Sequence, residues 1–236
     1  MPTERSLAWR TCQVLARVLT TQLFDLKVFG RHNVPRRGGV LIVSNHQSNL
    51  DPVLMAVRLD RSLNYIAKSE LFEGRIGGWL LRKVFNAFPV RQGAGDVGAV
   101  KETIQRLHEG HVLNIYPEGA RTGDGEIGAM QRGVALVIRR ARVPVVPAVI
   151  VGSFEAWPKF KRVFRPWPVR LCYGPPMLLH GLQPDEIIDT IDRTLRDMLS
   201  DLKGPQASAR GYRSTEATRS LLHECALKHL ARRRAG

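Results

Sequence analysis

Val40-Leu41-Ile42-Val43-Ser44-Asn45-His46-Gln47-Ser48-Asn49-Leu50-Asp51 is the stretch on which the reading of this chain turns. Its first four residues are apolar and mostly β-branched, and Gly38-Gly39 precedes them, which is the pattern of a short buried strand. A histidine and an aspartate follow, five positions apart, where that strand ends. Imidazole exchanges a proton near neutral pH, and a carboxylate beside it selects the tautomer and supports the imidazolium. Open α/β sheets hold their ligands outside the carboxyl ends of the strands, so the pair sits where such a sheet would do chemistry. Two plainer readings compete. Asp51 precedes Pro52 and could be a helix N-cap, with proline at the first helical position. His46 could be an ordinary hydrogen-bonded loop residue.

A second stretch gives the first its context. Val112-Leu113-Asn114-Ile115-Tyr116 also reads as a strand, and it runs into Pro117-Glu118-Gly119-Ala120-Arg121-Thr122. A glycine in such a turn lets the backbone approach a ligand closely, and a guanidinium beside it offers a planar fork for phosphate. The alternative is a polar loop in which Glu118 and Arg121 pair with each other.

Taken together, the two stretches carry a resemblance. Asn45-His46-Gln47-Ser48-Asn49-Leu50-Asp51 resembles the N-H-x-S-x-x-D block of the glycerolipid acyltransferases. Pro117 to Thr122 is similar to their P-E-G-T-R-S block, with Ala120 and Thr122 at the positions of the usual Thr and Ser. Between them, Phe88-Pro89-Val90-Arg91 resembles the intermediate block that ends in arginine, and Lys68-Ser69-Glu70-Leu71-Phe72 a segment often found after the first block. Val143-Pro144-Val145-Val146-Pro147-Ala148 resembles the fourth, proline-bearing block. The blocks stand in the family's order over residues 38–152, and the likeness is closest to bacterial 1-acyl-glycerol-3-phosphate (lysophosphatidate) acyltransferases.

Composition agrees. The chain has 236 residues, 44% of them hydrophobic, and a formal charge of +15. That length suits one α/β domain with appendages, and that charge implies attraction to phosphorylated substrates, anionic lipid surfaces or nucleic acid. Cys12, Cys172 and Cys225 have neither metal-ligand spacing nor partners for a disulfide framework, so a reducing compartment is expected. Residues 2–6 do not open a signal peptide. No apolar run reaches about 18 residues, so no spanning helix is expected.

Strands are expected at 26–29, 40–44, 63–67, 87–91, 112–116, 145–151 and 169–173, and helices at 52–59, 75–86, 96–109, 129–142 and 184–202. Alternation of the two predicts a mixed, mainly parallel α/β sheet flanked by helices. The last helix carries the cleanest stripe, with Ile187, Ile188, Ile191, Leu195, Met198, Leu199 and Leu202 at helical spacing. We expect an N-terminal amphipathic helix and first strand over 1–30, the acyltransferase-like domain over 31–202, and a basic tail over 203–236 holding eight Lys or Arg against two Asp or Glu. Gly93-Ala94-Gly95-Asp96-Val97-Gly98 matches G-x-G-x-x-G, but the strand before it would contain Pro89, which a central dinucleotide-binding strand does not tolerate. A glycine turn into an Asp96-capped helix is the better reading.

Two segments offer contact with lipid. On a helical wheel Leu7, Val14, Leu15, Val18, Leu19 and Leu23 share an apolar arc opposite Arg10, Gln13 and Arg17. That pattern suits a helix lying in a membrane interface, and it equally suits one packed on its own domain. Between 155 and 170, Lys159, Lys161, Arg162, Arg165 and Arg170 interleave with Trp157, Phe160, Phe164 and Trp167. Such a segment could bind phospholipid headgroups, coenzyme A phosphates or single-stranded nucleic acid, or be a solvated basic loop.

The resemblance implies transfer of a fatty acyl group from acyl-CoA or acyl-carrier protein to the sn-2 hydroxyl of lysophosphatidate, on the cytoplasmic face of the inner membrane, by a peripheral or monotopic protein. It implies His46 as general base, Asp51 as its orienting carboxylate, and Arg91, Glu118, Gly119 and Arg121 around the acceptor phosphate. Asn45, Ser48, Lys68, Thr122 and Pro147 are secondary candidates. No metal, no cofactor and no nucleic-acid partner are expected. An acyltransferase for another lysolipid or glycerol-3-phosphate, and a non-catalytic basic membrane- or nucleic-acid-binding module, are the alternatives.

Overall fold

In the computed structural model, Val40–Ser44 forms a strand buried along its whole length, and its side chains divide between two cores. Leu41 and Val43 join one apolar cluster, while Val40 and Ile42 join the other on the opposite face. A strand covered on both faces needs a continuous apolar run, and this one supplies it. The structure describes residues 7–74, 78–79, 86–90 and 97–204.

In chain order the elements are α1 (Leu7–Phe24), β1 (Lys27–Phe29), β2 (Val40–Ser44), α2 (Asp51–Val57), β3 (Leu63–Lys68), β4 (Ala87–Val90), α3 (Val97–His108), β5 (Val112–Ile115), α4 (Gly133–Ala141), β6 (Val145–Val151), the short α5 (Ser153–Ala156), β7 (Arg170–Tyr173) and α6 (Pro184–Lys203). The strands make one sheet in the order β1-β7-β6-β2-β5-β3-β4. All neighbours run parallel except β6 and β7. The expected mixed, mainly parallel sheet is therefore present. Helices α4 and α6 supply Val134, Ile138, Ile187, Ile191 and Leu195 to the core under one face, and α2 supplies Leu54 and Met55 to the core under the other. Full burial of such side chains contributes roughly 1.5–3 kcal/mol each.

Proline marks two strands differently. Pro89 lies in β4, at an edge of the sheet, where a missing N–H costs no ladder bond. Pro147 lies inside the central β6, opposite Val43. Its carbonyl accepts the Gly174 N–H at 2.8 Å, and its ring packs so closely on Gly174 that a Cβ there would lie 2.9 Å from Pro147 Cγ.

Several boundaries shift by one or two residues, and three local features differ more from expectation. The helix expected over 129–142 begins at Gly133, and just before it the Gln131 N–H donates to the Pro117 carbonyl at 2.7 Å. Asp51 is not a side-chain N-cap: α2 starts at Asp51 after Leu50, and the carboxylate turns back into the preceding loop. The short α5 was not foreseen. Arg91, the glycine turn at 93–95, Asp96, most of the helix expected over 75–86 and the tail from 205 lie outside the described residues.

Of the two arrangements open to helix α1, the structure has the one with the Gln13 and Arg17 side turned inward. Gln13 Nε2 donates to the carbonyls of Ala56 and Leu59, and Arg17 Nε to that of Val57. Val14, Leu15, Val18 and Leu19 are 55%, 58%, 55% and 57% exposed. Among the described residues no helix is long and apolar enough to cross a membrane.

Candidate active site

Because β2 and β5 pair in parallel with Val43 opposite Ile115, the turns that follow them must meet at the same edge of the sheet. The first turn is fixed from below by Asn45. Its amide nitrogen donates to the Ile150 carbonyl at 3.0 Å, and its Oδ1 accepts the Ile150 N–H at 2.9 Å, extending the pairing with β6 by a side chain. His46 follows, its side chain only 17% exposed. Asp51 is wholly buried.

The pair is in contact. His46 Nδ1 lies 2.8 Å from Asp51 Oδ2. That same oxygen accepts the N–H of Gln47 at 2.7 Å and of Ser48 at 2.8 Å, whereas Oδ1 has no hydrogen-bond partner among the described residues. With one carboxylate oxygen gripped by the backbone, its bond to the imidazole keeps a fixed direction. The proton then resides on Nδ1, and Nε2 is left as the acceptor. The Tyr116 ring stacks on the His46 ring, centroids 3.8 Å apart and planes 13° from parallel. Burial holds the Tyr116 phenol well above its usual value, and the nearby Asp51 charge pushes the same way, so the stacked ring is neutral.

The second turn is locked onto the first. Glu118 Oε1 accepts the His46 N–H at 2.9 Å and Oε2 accepts the Gly128 N–H at 2.9 Å. Burial raises the Glu118 carboxyl from its ordinary value, and these two amides only partly oppose it. Gly119, at φ +72°, takes the left-handed conformation that closes the turn through its N–H to the Tyr116 carbonyl at 3.0 Å. The Thr122 N–H donates to the His46 carbonyl at 2.9 Å, and the Thr122 hydroxyl organises residues 124 and 125. Arg121 Nη1 bonds Asn49 Oδ1 at 2.6 Å, which carries its guanidinium to the turn that bears His46. A shallow groove of about 300 Å³ runs past Glu118, Arg121, Thr122, Glu126 and Ala129; His46 is not in its lining.

The structure thus brings together His46, Asp51, Asn45, Ser48, Glu118, Gly119, Arg121 and Thr122. Pro147 lies within the sheet instead, and Lys68 closes β3, two strands from β2. Glu118 and Arg121 do not pair with each other; each is bonded to the histidine turn. Sequence reasoning missed Tyr116, although its place just past β5 and beside the end of β2 was the available signal. It also missed the tie from Ser48 Oγ to the Trp157 carbonyl, at 2.8 Å across 109 residues, for which no local signal exists. Among the described residues no group of three or more His, Cys, Asp or Glu could hold a metal ion.

The family model for acyltransferases matches residues 25–151, which span β1 to the end of β6 and both turns. The chain belongs to the acyltransferase family. This acyltransferase is 28% identical over 170 residues to the 1-acyl-sn-glycerol-3-phosphate acyltransferase of Bacillus subtilis (strain 168), covering 72% of this chain and 82% of that relative. It is 30% identical over 191 residues to the human 1-acyl-sn-glycerol-3-phosphate acyltransferase alpha, covering 79% of this chain and 66% of the relative. The crystal structure of the 1-acyl-sn-glycerophosphate (LPA) acyltransferase PlsC from Thermotoga maritima superposes with a TM-score of 0.74 at 25% identity, over 85% of this chain and 82% of that one.

Proposed function

We propose that this acyltransferase moves a fatty acyl group from an acyl thioester to the sn-2 hydroxyl of lysophosphatidate, giving phosphatidate. The observation that carries the reading is the 2.8 Å contact between His46 Nδ1 and a buried carboxylate already fixed by two backbone amides. Nε2 of His46 takes the proton of the acceptor hydroxyl as its oxygen attacks the thioester carbonyl. The tetrahedral intermediate collapses, the C–S bond breaks, and the thiolate leaves with its electron pair. Thiolate is a good leaving group, so direct transfer needs no acyl-enzyme. Asp51 stabilises the imidazolium formed on the way, as the buried carboxylate does in other histidine-base sites. Arg121 is assigned to the acceptor phosphate, whose distance from the reacting hydroxyl is only a few bonds; Arg91 is the second candidate for that role. Coenzyme A or acyl-carrier protein brings the acyl group, and no cofactor takes part.

The outward apolar face of α1 supports a peripheral seat on the membrane, at its cytoplasmic leaflet. The test is transfer to lysophosphatidate in detergent, against lysophosphatidylcholine and glycerol-3-phosphate, with both donors. His46→Ala should lower turnover by about 10²–10⁴-fold while the fold survives. Near-normal turnover by a folded His46→Ala protein refutes the mechanism, and preference for an acceptor without a terminal phosphate refutes the substrate.

A further inference from the structure

The segment that joins α5 to β7 is closed at its base and bare at its tip. Arg165 returns to the start of the loop, its N–H donating to the Ala156 carbonyl at 2.8 Å and its Nε to that of Glu155 at 2.8 Å. Trp157 Nε1 holds the Lys161 carbonyl at 2.9 Å, and the Arg165 guanidinium lies 4.8 Å from the centroid of the Trp167 ring. An ordered loop of this kind normally hides its apolar side chains, yet Phe160 and Val163 are 68% and 74% exposed, and Phe164 and Trp167 are exposed too. From Trp157 to Tyr173 there is no acidic residue and there are five basic ones. Lys159, Lys161 and Arg162 form no ion pair with any described residue.

Two contacts join this loop to α1 and to the histidine turn. Phe164 packs edge-on against Phe24, the last residue of α1, with ring centroids 5.8 Å apart, so the bare loop adjoins the helix whose aliphatic face is also bare. The Trp157 carbonyl, at the start of the loop, accepts the Ser48 hydroxyl of the histidine turn.

We propose that residues 157–167 form an anion-selective membrane-docking loop which, beside α1, seats the histidine turn at the surface of an anionic phospholipid bilayer. The proposal deepens the acyltransferase reading and rests on it. The chemistry is divided. Phe160 and Val163 enter the acyl boundary, while Lys159, Lys161 and Arg162 meet headgroup phosphates, each basic group adding attraction within a Debye length of the surface. A single-stranded nucleic acid would use the bases and the rings, but it would leave Val14, Leu15, Val18 and Leu19 without a partner. A bilayer accounts for both patches at once.

The test uses the full chain and sedimentation with vesicles of phosphatidylcholine alone or mixed with phosphatidylglycerol. Lys159→Glu/Lys161→Glu/Arg162→Glu should weaken binding to the anionic vesicles by about tenfold or more, and leave binding to the neutral vesicles near that of the parent protein. Phe160→Ser/Val163→Ser should weaken both. Parent-like turnover of lysophosphatidate in detergent micelles by the charge-reversed protein shows that fold and chemistry are intact. The neutral set Lys159→Gln/Lys161→Gln/Arg162→Gln provides the same comparison if charge reversal lowers the melting temperature. Unchanged anionic-vesicle binding by both triple variants overturns the proposal. So does a raised KM for acyl-CoA, or lost binding of single-stranded oligonucleotide, with vesicle binding unaltered. A parent protein that reads anionic vesicles through this loop but fails to acylate lysophosphatidate would sink the substrate assignment and leave the docking loop standing.

Discussion

Helix α6 turns Ile187, Ile191, Leu195, Met198, Leu199 and Leu202 into the sheet, whereas α1 leaves Val14, Leu15, Val18 and Leu19 more than half exposed and fastens itself by Gln13 and Arg17. Both helices are amphipathic; α6 buries its apolar stripe, whereas α1 gives the core only Phe24, with Ala16 and Leu23 packed against it. The difference lies in what each polar group finds. The carbonyls at the C-terminal end of a helix have no partner within it. Those of Ala56 and Val57, at the end of α2, and of the following Leu59 take their donors from α1. Helix α6 satisfies its own N-terminus instead, through the reciprocal cap of Gln183 and Glu186, and is free to bury its stripe. Amphipathicity therefore defines two faces, and the partners available to the polar face decide which one turns inward.

That comparison can be broken or sharpened by substitution. The largest expected effect is Leu195→Ala, which should lower unfolding free energy by about 2–5 kcal/mol in urea titration, because it opens a cavity in a fully buried stripe. Leu19→Ala should stay within about 0.5 kcal/mol; equal losses at the two positions would abolish the distinction. Next comes Arg17→Ala, which removes a charged donor from the Val57 carbonyl. It should cost on the order of 1–2 kcal/mol and speed hydrogen exchange in α1 before that in α6. The smallest effect on stability should come from Val18→Ser/Leu19→Ser, again about 0.5 kcal/mol or less. Their binding to neutral phosphatidylcholine vesicles should nonetheless fall by about a hundredfold or more, since each lost aliphatic group forgoes burial worth roughly 1.5–3 kcal/mol. Retained vesicle binding would mean that α1 does not face lipid.

The central strands β2 and β6 were legible because burial on both faces demands a continuous apolar run, and the others as short runs bounded by turn residues. The α6 stripe was legible from apolar residues at helical spacing. The histidine and P-E-G turns were legible as blocks in order, and parallel pairing of β2 with β5 makes their meeting a matter of register. What could not be read depended on partners distant in sequence. The orientation of α1 rests on carbonyls forty or more residues away. Glu118 read as a residue shaping a phosphate pocket; both its oxygens are occupied by backbone amides. Tyr116 looked like the last residue of a strand, and only the stacked geometry shows it as the floor under His46.

The Glu118 clasp limits how the 117–131 turn could be redesigned. One carboxylate fastens the amide of His46 and the amide of Gly128, so the 117–131 turn is not a removable part. A loop transplanted from an acyltransferase with a different acceptor would have to bring its own anchor for the histidine backbone. Otherwise the backbone of His46 would lose that hold. The 117–131 turn and the histidine turn keep their places together.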